Sequence, residues 1–321
     1  MNRFLRDSLL SLALAGTLAP PVLAADVRVS VTAIVDHPAL DAARKGVTDE
    51  LADAGFVNGK NLKLEYQSAQ GNTATAAQIA RKFAGDKPNV IVAVSTPSAQ
   101  TALAATRDIP IVFSAVTDPV AAKLVKSWDA TGGNVTGVSD LPSLEKHLAV
   151  VRQAMPASKR IGVIYSPGEA NSVAAIAELK KLAAPAGITV VEAAAPRTVD
   201  VASAAQSLIG KVDVFYEPTD NNVTSAFEAL AKVADQGKVP LISADPSVAT
   251  RGAAIGVGTN YYDLGRQTGK LVVRILKGEA PGKIASQVST KLEMHVSKSA
   301  AQRQGLMLSE DFLKSATKVV D

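Results

Sequence analysis

The chain has no cysteine, and only 4% of its 321 residues are aromatic. Without cysteine there can be no disulfide framework, thiol nucleophile, thiolate zinc site or cysteine-held iron–sulfur cluster. The three histidines, His37, His147 and His295, are far apart and show no metal-ligand spacing, so neither a metal nor a cofactor is expected. No G-x-S-x-G nucleophile elbow occurs, and no dinucleotide fingerprint follows the first strand. Residues 278–283 (GEAPGK) lack the glycine pattern and the hydroxyl residue of a phosphate-binding loop. The 34 basic and 30 acidic residues are interspersed, giving a formal charge of +4. That leaves neither a basic patch nor stacking rings for nucleic acid. Apolar residues, by contrast, make up 47% of the chain against 20% charged. That supply excludes a disordered chain, and at roughly 100–200 residues per domain it suits one core or, better, two.

The N-terminus carries an export pattern. Arg3 and Arg6 precede an apolar run from Leu9 to Leu18, and small residues then lead to a cleavage point after Ala24. The run is shorter than the roughly 20 residues that span a bilayer. Residues 1–24 are therefore expected to be a signal peptide. Their removal takes away Arg3, Arg6 and Asp7, leaving 297 residues with a charge of +3. With no cysteine at the processing site, the exported protein is expected to be soluble rather than a lipoprotein. A periplasmic location follows if the source has two membranes.

The remaining chain alternates strands and helices. Val27 to Val35 reads as a strand, and Pro38 opens a helix with apolar positions at Leu40, Ala43, Val47 and Leu51. Strands at 61–66, 90–94 and 109–115 alternate with helices at 73–83 and 98–105. The pattern restarts near residues 138–143. A short strand or crossing segment at 134–138 and a helix at 143–151, with His147 packed beside Leu144 and Val151, come before strands at 160–165, 188–191, 212–216 and 239–243. Helices at 172–182, 202–208 and 222–233 separate these strands. Apolar strands alternating with helices predict parallel sheets covered on both faces.

Residues 91–122 and 214–249 share one order: strand, polar turn, Ala-rich helix, then Pro and an apolar strand ending in Asp-Pro. Any two strand-helix-strand pieces share some of this. In either case, polar turns at the C-terminal ends of parallel strands form the binding edge of such a sheet, and two edges facing across a hinge make a cleft. Thr96-Pro97-Ser98 at a helix start offers hydroxyls and unpaired N–H groups to a carboxylate. Thr117-Asp118-Pro119 does the same, unless Asp118 caps its own helix. Asp220 could accept from an ammonium group or cap the helix that follows. Tyr165 and Tyr216 end strands, where their rings could wall a pocket or cover the sheet. Asp36, Asp118, Glu169, Asp220 and Asp245 all lie at strand ends, which keeps a carboxylate hydrolase as a minor alternative.

The segment 253–280, AAIGVGTNYYDLGRQTGKLVVRILKGEA, resembles the returning crossover of the type I periplasmic binding-protein superfamily. Residues 33–43 (AIVDHPALDAA), 95–100 (STPSAQ), 113–121 (FSAVTDPVA), 136–140 (TGVSD) and 216–222 (YEPTDNN) narrow the resemblance. Together they are similar to the ABC transporter substrate-binding family whose members bind tryptophan, tyrosine or phenylalanine, over essentially residues 27–310. The resemblance implies two Rossmann-like α/β lobes with parallel-sheet cores joined by a three-crossing hinge. Lobe 1 would comprise residues 27–140 plus 259–286, and lobe 2 residues 141–258 plus 287–321.

It also implies a receptor, not an enzyme, that closes on a small-molecule solute and passes it to an ABC permease driven by a separate ATPase. The expected solute is an aromatic or other hydrophobic amino acid. One chain suffices for the cleft, so a monomer is expected. Ile34, Asp36, His37, Ser95, Thr96, Ser98 and Asp118 would face the cleft from one lobe. Tyr165, Glu169, Asn171, Tyr216, Thr219, Asp220, Asn221 and Asp245 would face it from the other, with Asn260 and Tyr261 near a hinge. Thr96 and Ser98 are expected to hold a carboxylate and Asp220 an α-amino group, with Ile34, Pro218, Tyr165 or Tyr216 beside the side chain. A ligand-responsive exported sensor or docking protein of the same fold is the alternative.

Overall fold

The computed structural model describes residues 27–289 and 291–321. The expected signal peptide lies outside the described residues. Val27–Ala33 (β1), Pro38–Asp53 (α1), Leu62–Ser68 (β2), Thr73–Asp86 (α2), Val90–Val94 (β3), Thr96–Ala105 (α3), Ile111–Ser114 (β4) and Val135–Ser139 (β5) build the first lobe. Every residue of β3, β4 and β5 is buried, as a strand covered on both faces requires.

The chain then crosses to Leu144–Ala154 (α4), Arg160–Tyr165 (β6), Ala170–Ala183 (α5), Thr189–Ala194 (β7), Val201–Leu208 (α6), Val214–Glu217 (β8), Asn221–Ser225 (α7), Phe227–Gly237 (α8), Leu241–Ser243 (β9) and Ile255–Thr259 (β10). It returns with Tyr261–Leu276 (α9) and Gln287–Val288 (β11). It crosses once more to Leu292–Ser297 (β12), Lys298–Arg303 (α10), Glu310–Ser315 (α11) and Lys318–Val320 (β13). Among the described residues no helix is long and apolar enough to cross a membrane.

The first sheet has the order β11-β5-β4-β3-β1-β2 and is parallel throughout; the second runs β13-β12-β10-β9-β8-β6-β7, with β12 antiparallel to β10. In each sheet the chain first lays a strand on one side of its opening strand and then continues on the other. This places a switch point at the C-terminal ends of β1 and β3 in one lobe and of β6 and β8 in the other. Ligands of open α/β sheets bind in such crevices.

Three boundaries differ from the sequence reading. Gln287 and Val288 pair with Val138 and Ser139, so the first sheet extends past residue 286. Thr259 pairs with Leu292 and belongs to the second sheet. The helix expected over 222–233 breaks at Ala226 (φ −103°, ψ 26°), which lets Phe227 turn fully into the core while α7 stays at the crevice.

The packing of α1 on α9 fixes the return crossing. A Cβ on Gly46 would come within 2.2 Å of the Tyr262 carbonyl oxygen, and one on Gly265 within 2.0 Å of the Ala43 carbonyl oxygen. Only glycine allows the two backbones this close. Because α9 begins at Tyr261, their contact also sets where that ring enters the space between the lobes.

Candidate functional site

His37 caps α1: its Nδ1 accepts from the Leu40 N–H at 3.5 Å, and Pro38 occupies the first helical turn. Burial depresses the imidazole to about 4, with nearby Arg251 acting in the same direction, so the ring is neutral above that pH and carries its proton on Nε2. Asn221 of the second lobe lines a cavity with it.

At the end of β3, Ser95 adopts φ 80° and leads into α3 with no side-chain cap. The hydroxyls of Ser95, Thr96 and Ser98 are buried and have no partner among the described residues. Ala115 (φ 54°) ends β4, and Thr219 (φ 44°) follows β8. Left-handed backbone at three non-glycine positions on the crevice costs on the order of 1 kcal/mol or more at each, a feature concentrated at functional sites.

Between the lobes lies this small cavity, lined by His37, Ala39, Leu40, Thr96, Ala115, Thr117, Asp140, Asn171, Thr219, Asn221, Thr224, Asp245 and Tyr261. Asp140 sits on the first crossing and Tyr261 opens the second. The Tyr261 hydroxyl donates to Asp140 Oδ2 at 2.8 Å, while Asp140 Oδ1 is buried without a partner among the described residues. Burial raises the Asp140 carboxyl above its ordinary value. Asn171 Oδ1 and the Thr219 hydroxyl are likewise buried and unpartnered among the described residues. Asp245 caps the turn after β9 by accepting from the Ser247 N–H and hydroxyl, and burial raises its carboxyl too. No lysine or arginine is among the described residues that line the cavity. The wall is thus rich in acceptors and carboxylates, while the uncapped start of α3 supplies donors.

The structure brings His37, Thr96, Asn171, Thr219, Asn221, Asp245 and Tyr261 into one cavity, and buries the Ser95 and Ser98 hydroxyls beside Thr96. Other expected residues stand elsewhere. Asp220 is fully buried and accepts from the Ser166 N–H (2.6 Å), the Ser166 hydroxyl (2.9 Å), the Ser172 hydroxyl (2.6 Å) and the Val223 N–H (3.0 Å). With both oxygens occupied it ties β6 to α7, which corrects its assignment to an ammonium group. Tyr216 is correspondingly not a pocket wall: it lies in the core of lobe 2, its hydroxyl 2.7 Å from His147 Nδ1. Tyr165 packs against that same core.

Asp36 bonds to the Tyr66 hydroxyl and Gln70 within lobe 1, and Asp118 accepts from the Val120 and Ala121 N–H groups of its own turn. Asn260 caps α9 and donates to Glu293. Pro218 is buried in the turn after β8, outside the lining. Ile34 and Glu169 line a neighbouring outer pocket. Thr117, part of the polar turn singled out in the sequence, lines the cavity although Asp118 beside it does not; the sequence reading missed Ala39, Leu40, Ala115, Asp140 and Thr224, and for Asp140 the signal was a lone acid directly after a buried strand at a crossing.

Residues 28–320 match the family described as ABC transporter substrate binding protein. The chain belongs to that family. This substrate-binding protein is 39% identical over 287 residues to a tyrosine-binding protein of Clostridioides difficile, covering 89% of this chain and 83% of the relative. A conserved domain protein from Vibrio cholerae superposes with a TM-score of 0.91 at 46% identity, covering 92% of this chain and all of the other. A Streptococcus pneumoniae ABC domain in complex with L-Trp superposes at 0.89 with 32% identity, over 92% of this chain and all of the other. Two α/β lobes of the type I periplasmic binding-protein fold therefore serve here as the solute receptor of an ABC importer.

Proposed function

We propose that this substrate-binding protein captures an α-amino acid with an aromatic or otherwise hydrophobic side chain. The observation that carries the reading is the polarity of the cavity. Asp140 Oδ1 and Asn171 Oδ1 present buried acceptors to it. The α3 N-terminus and the Thr96 hydroxyl present donors, with the Ser98 hydroxyl buried in the same turn. An α-ammonium group beside Asp140 and an α-carboxylate at the start of α3 fit that division, each gaining charge-assisted hydrogen bonds in a site of low dielectric. Ala39, Leu40, Ala115 and the Tyr261 ring supply the apolar remainder. Tyrosine and L-Trp, named for the relatives, belong to this chemical class.

The mature protein starts after Ala24 in this reading, is soluble in the periplasm, and works as a monomer that hands its ligand unchanged to the permease. Calorimetric titration with the twenty amino acids, and with a panel of sugars and polyols, tests it. Selective binding of an aromatic or large aliphatic member supports the reading; binding confined to sugars or polyols would overturn it.

A further inference from the structure

Glu169 dictates how one cavity amide is oriented. It is the N-cap residue of α5 and is buried. Its Oε2 accepts from Asn171 Nδ2 at 3.0 Å, Asn221 Nδ2 at 2.5 Å and the Asn221 backbone N–H at 3.3 Å. Because Oε2 receives the Asn221 backbone N–H, it acts as an acceptor, so each amide turns its NH₂ toward it and its oxygen away. A second N–H of Asn171 goes to the Thr219 carbonyl at 3.2 Å. With both donors committed, Asn171 meets the cavity with Oδ1, which is buried and has no partner among the described residues. If the amide were reversed, an NH₂ would face the same space and repel a cation.

We infer that Glu169 is a positioning residue that sets the amine selectivity of the cleft, by holding Asn171 Oδ1 toward the bound α-ammonium group. Glu169 does not line the cavity itself; it stands in the wall of the outer pocket behind it. Because one oxygen gathers all three donors, the requirement is an acceptor rather than a charge. A glutamine carbonyl at that position meets the requirement, whereas leucine takes the acceptor away from both amides and leaves Asn171 held by the Thr219 carbonyl alone.

The inference rests on the α-amino-acid reading, and its test separates the two. Affinities for L-tyrosine and for its desamino analogue 3-(4-hydroxyphenyl)propanoate are measured by calorimetry for the wild type, Glu169→Gln and Glu169→Leu. The wild type and Glu169→Gln should keep the preference for the amine, and Glu169→Leu should lose about tenfold or more of it. If Glu169→Leu does not fold by circular dichroism, Asn171→Ala is expected to show the same loss. An unchanged preference in Glu169→Leu or Asn171→Ala, or a Glu169→Gln that loses as much as leucine, overturns the positioning role. A wild type that does not prefer the amine overturns the amino-acid reading instead.

Discussion

The Tyr261 hydroxyl donates to Asp140 Oδ2 at 2.8 Å, joining the first hinge crossing to the second and leaving Oδ1 of the same carboxylate for the cavity. Both residues are buried, so the bond forms where an unpaired carboxylate oxygen is costly. Tyr261→Phe should therefore lower stability by about 1–3 kcal/mol in urea unfolding without ligand, and it should weaken ligand binding as well because Asp140 loses its orienting donor. Equal stability and affinity in the variant would show that the pair neither supports the hinge nor aims the carboxylate.

Asp220 should behave in the opposite sense to a ligand contact. Asp220→Ala strips partners from the Ser166 and Val223 N–H groups and from two serine hydroxyls. A loss of at least ~2–3 kcal/mol in unfolding free energy is expected, since each orphaned buried donor costs about 1–3 kcal/mol. The folded variant in native buffer should still discriminate among ligands. A variant of native stability that has lost binding would restore Asp220 to the ligand.

The contribution of Glu217 to stability without ligand should fall as pH rises from about 4.5 to about 7, against the opposite contribution of His37 and His147, which burial depresses to about 4. Burial raises Glu217 to about 7 despite bonds from the Ser243 and Thr224 hydroxyls. Burial and the charge of Asp220 push Glu169 upward as well. A carboxyl whose folded value exceeds its unfolded value binds more protons in the folded state across that window, so deprotonation there favours unfolding. For Glu217 the loss is on the order of 3 kcal/mol, complete above its folded value. Between pH 5 and pH 8 the unfolding free energy from urea titration should fall further, or rise less, in the wild type than in Glu217→Gln. An equal change in the two proteins would contradict the assignment.

The lobes, their parallel sheets and the strand-end location of the site were legible in the sequence, because apolar strands and polar turns follow directly from burial and from sheet topology. Which polar residue of a turn faces the crevice was not. Asp220 and Asn221 are neighbours, yet Thr219 at φ 44° redirects the chain, so Asn221 enters the cavity while Asp220 turns inward to cap α7. Tyr216 was misplaced because its side chain reaches His147 within the lobe, a pairing between residues 69 positions apart that no local pattern reveals. Asp140 could be read as part of a motif, but its role depends on Tyr261, which lies 121 residues away.

The most direct test of the account is calorimetric titration of L-tyrosine into the wild type and Asp140→Asn, with the desamino analogue run in parallel. The wild type should bind the amino acid and discriminate against the analogue, whereas Asp140→Asn should bind L-tyrosine roughly 10- to 100-fold more weakly, the value of one charge-assisted hydrogen bond in a buried site. Undiminished affinity in a folded Asp140→Asn would contradict the placement of the ammonium group and the central claim with it.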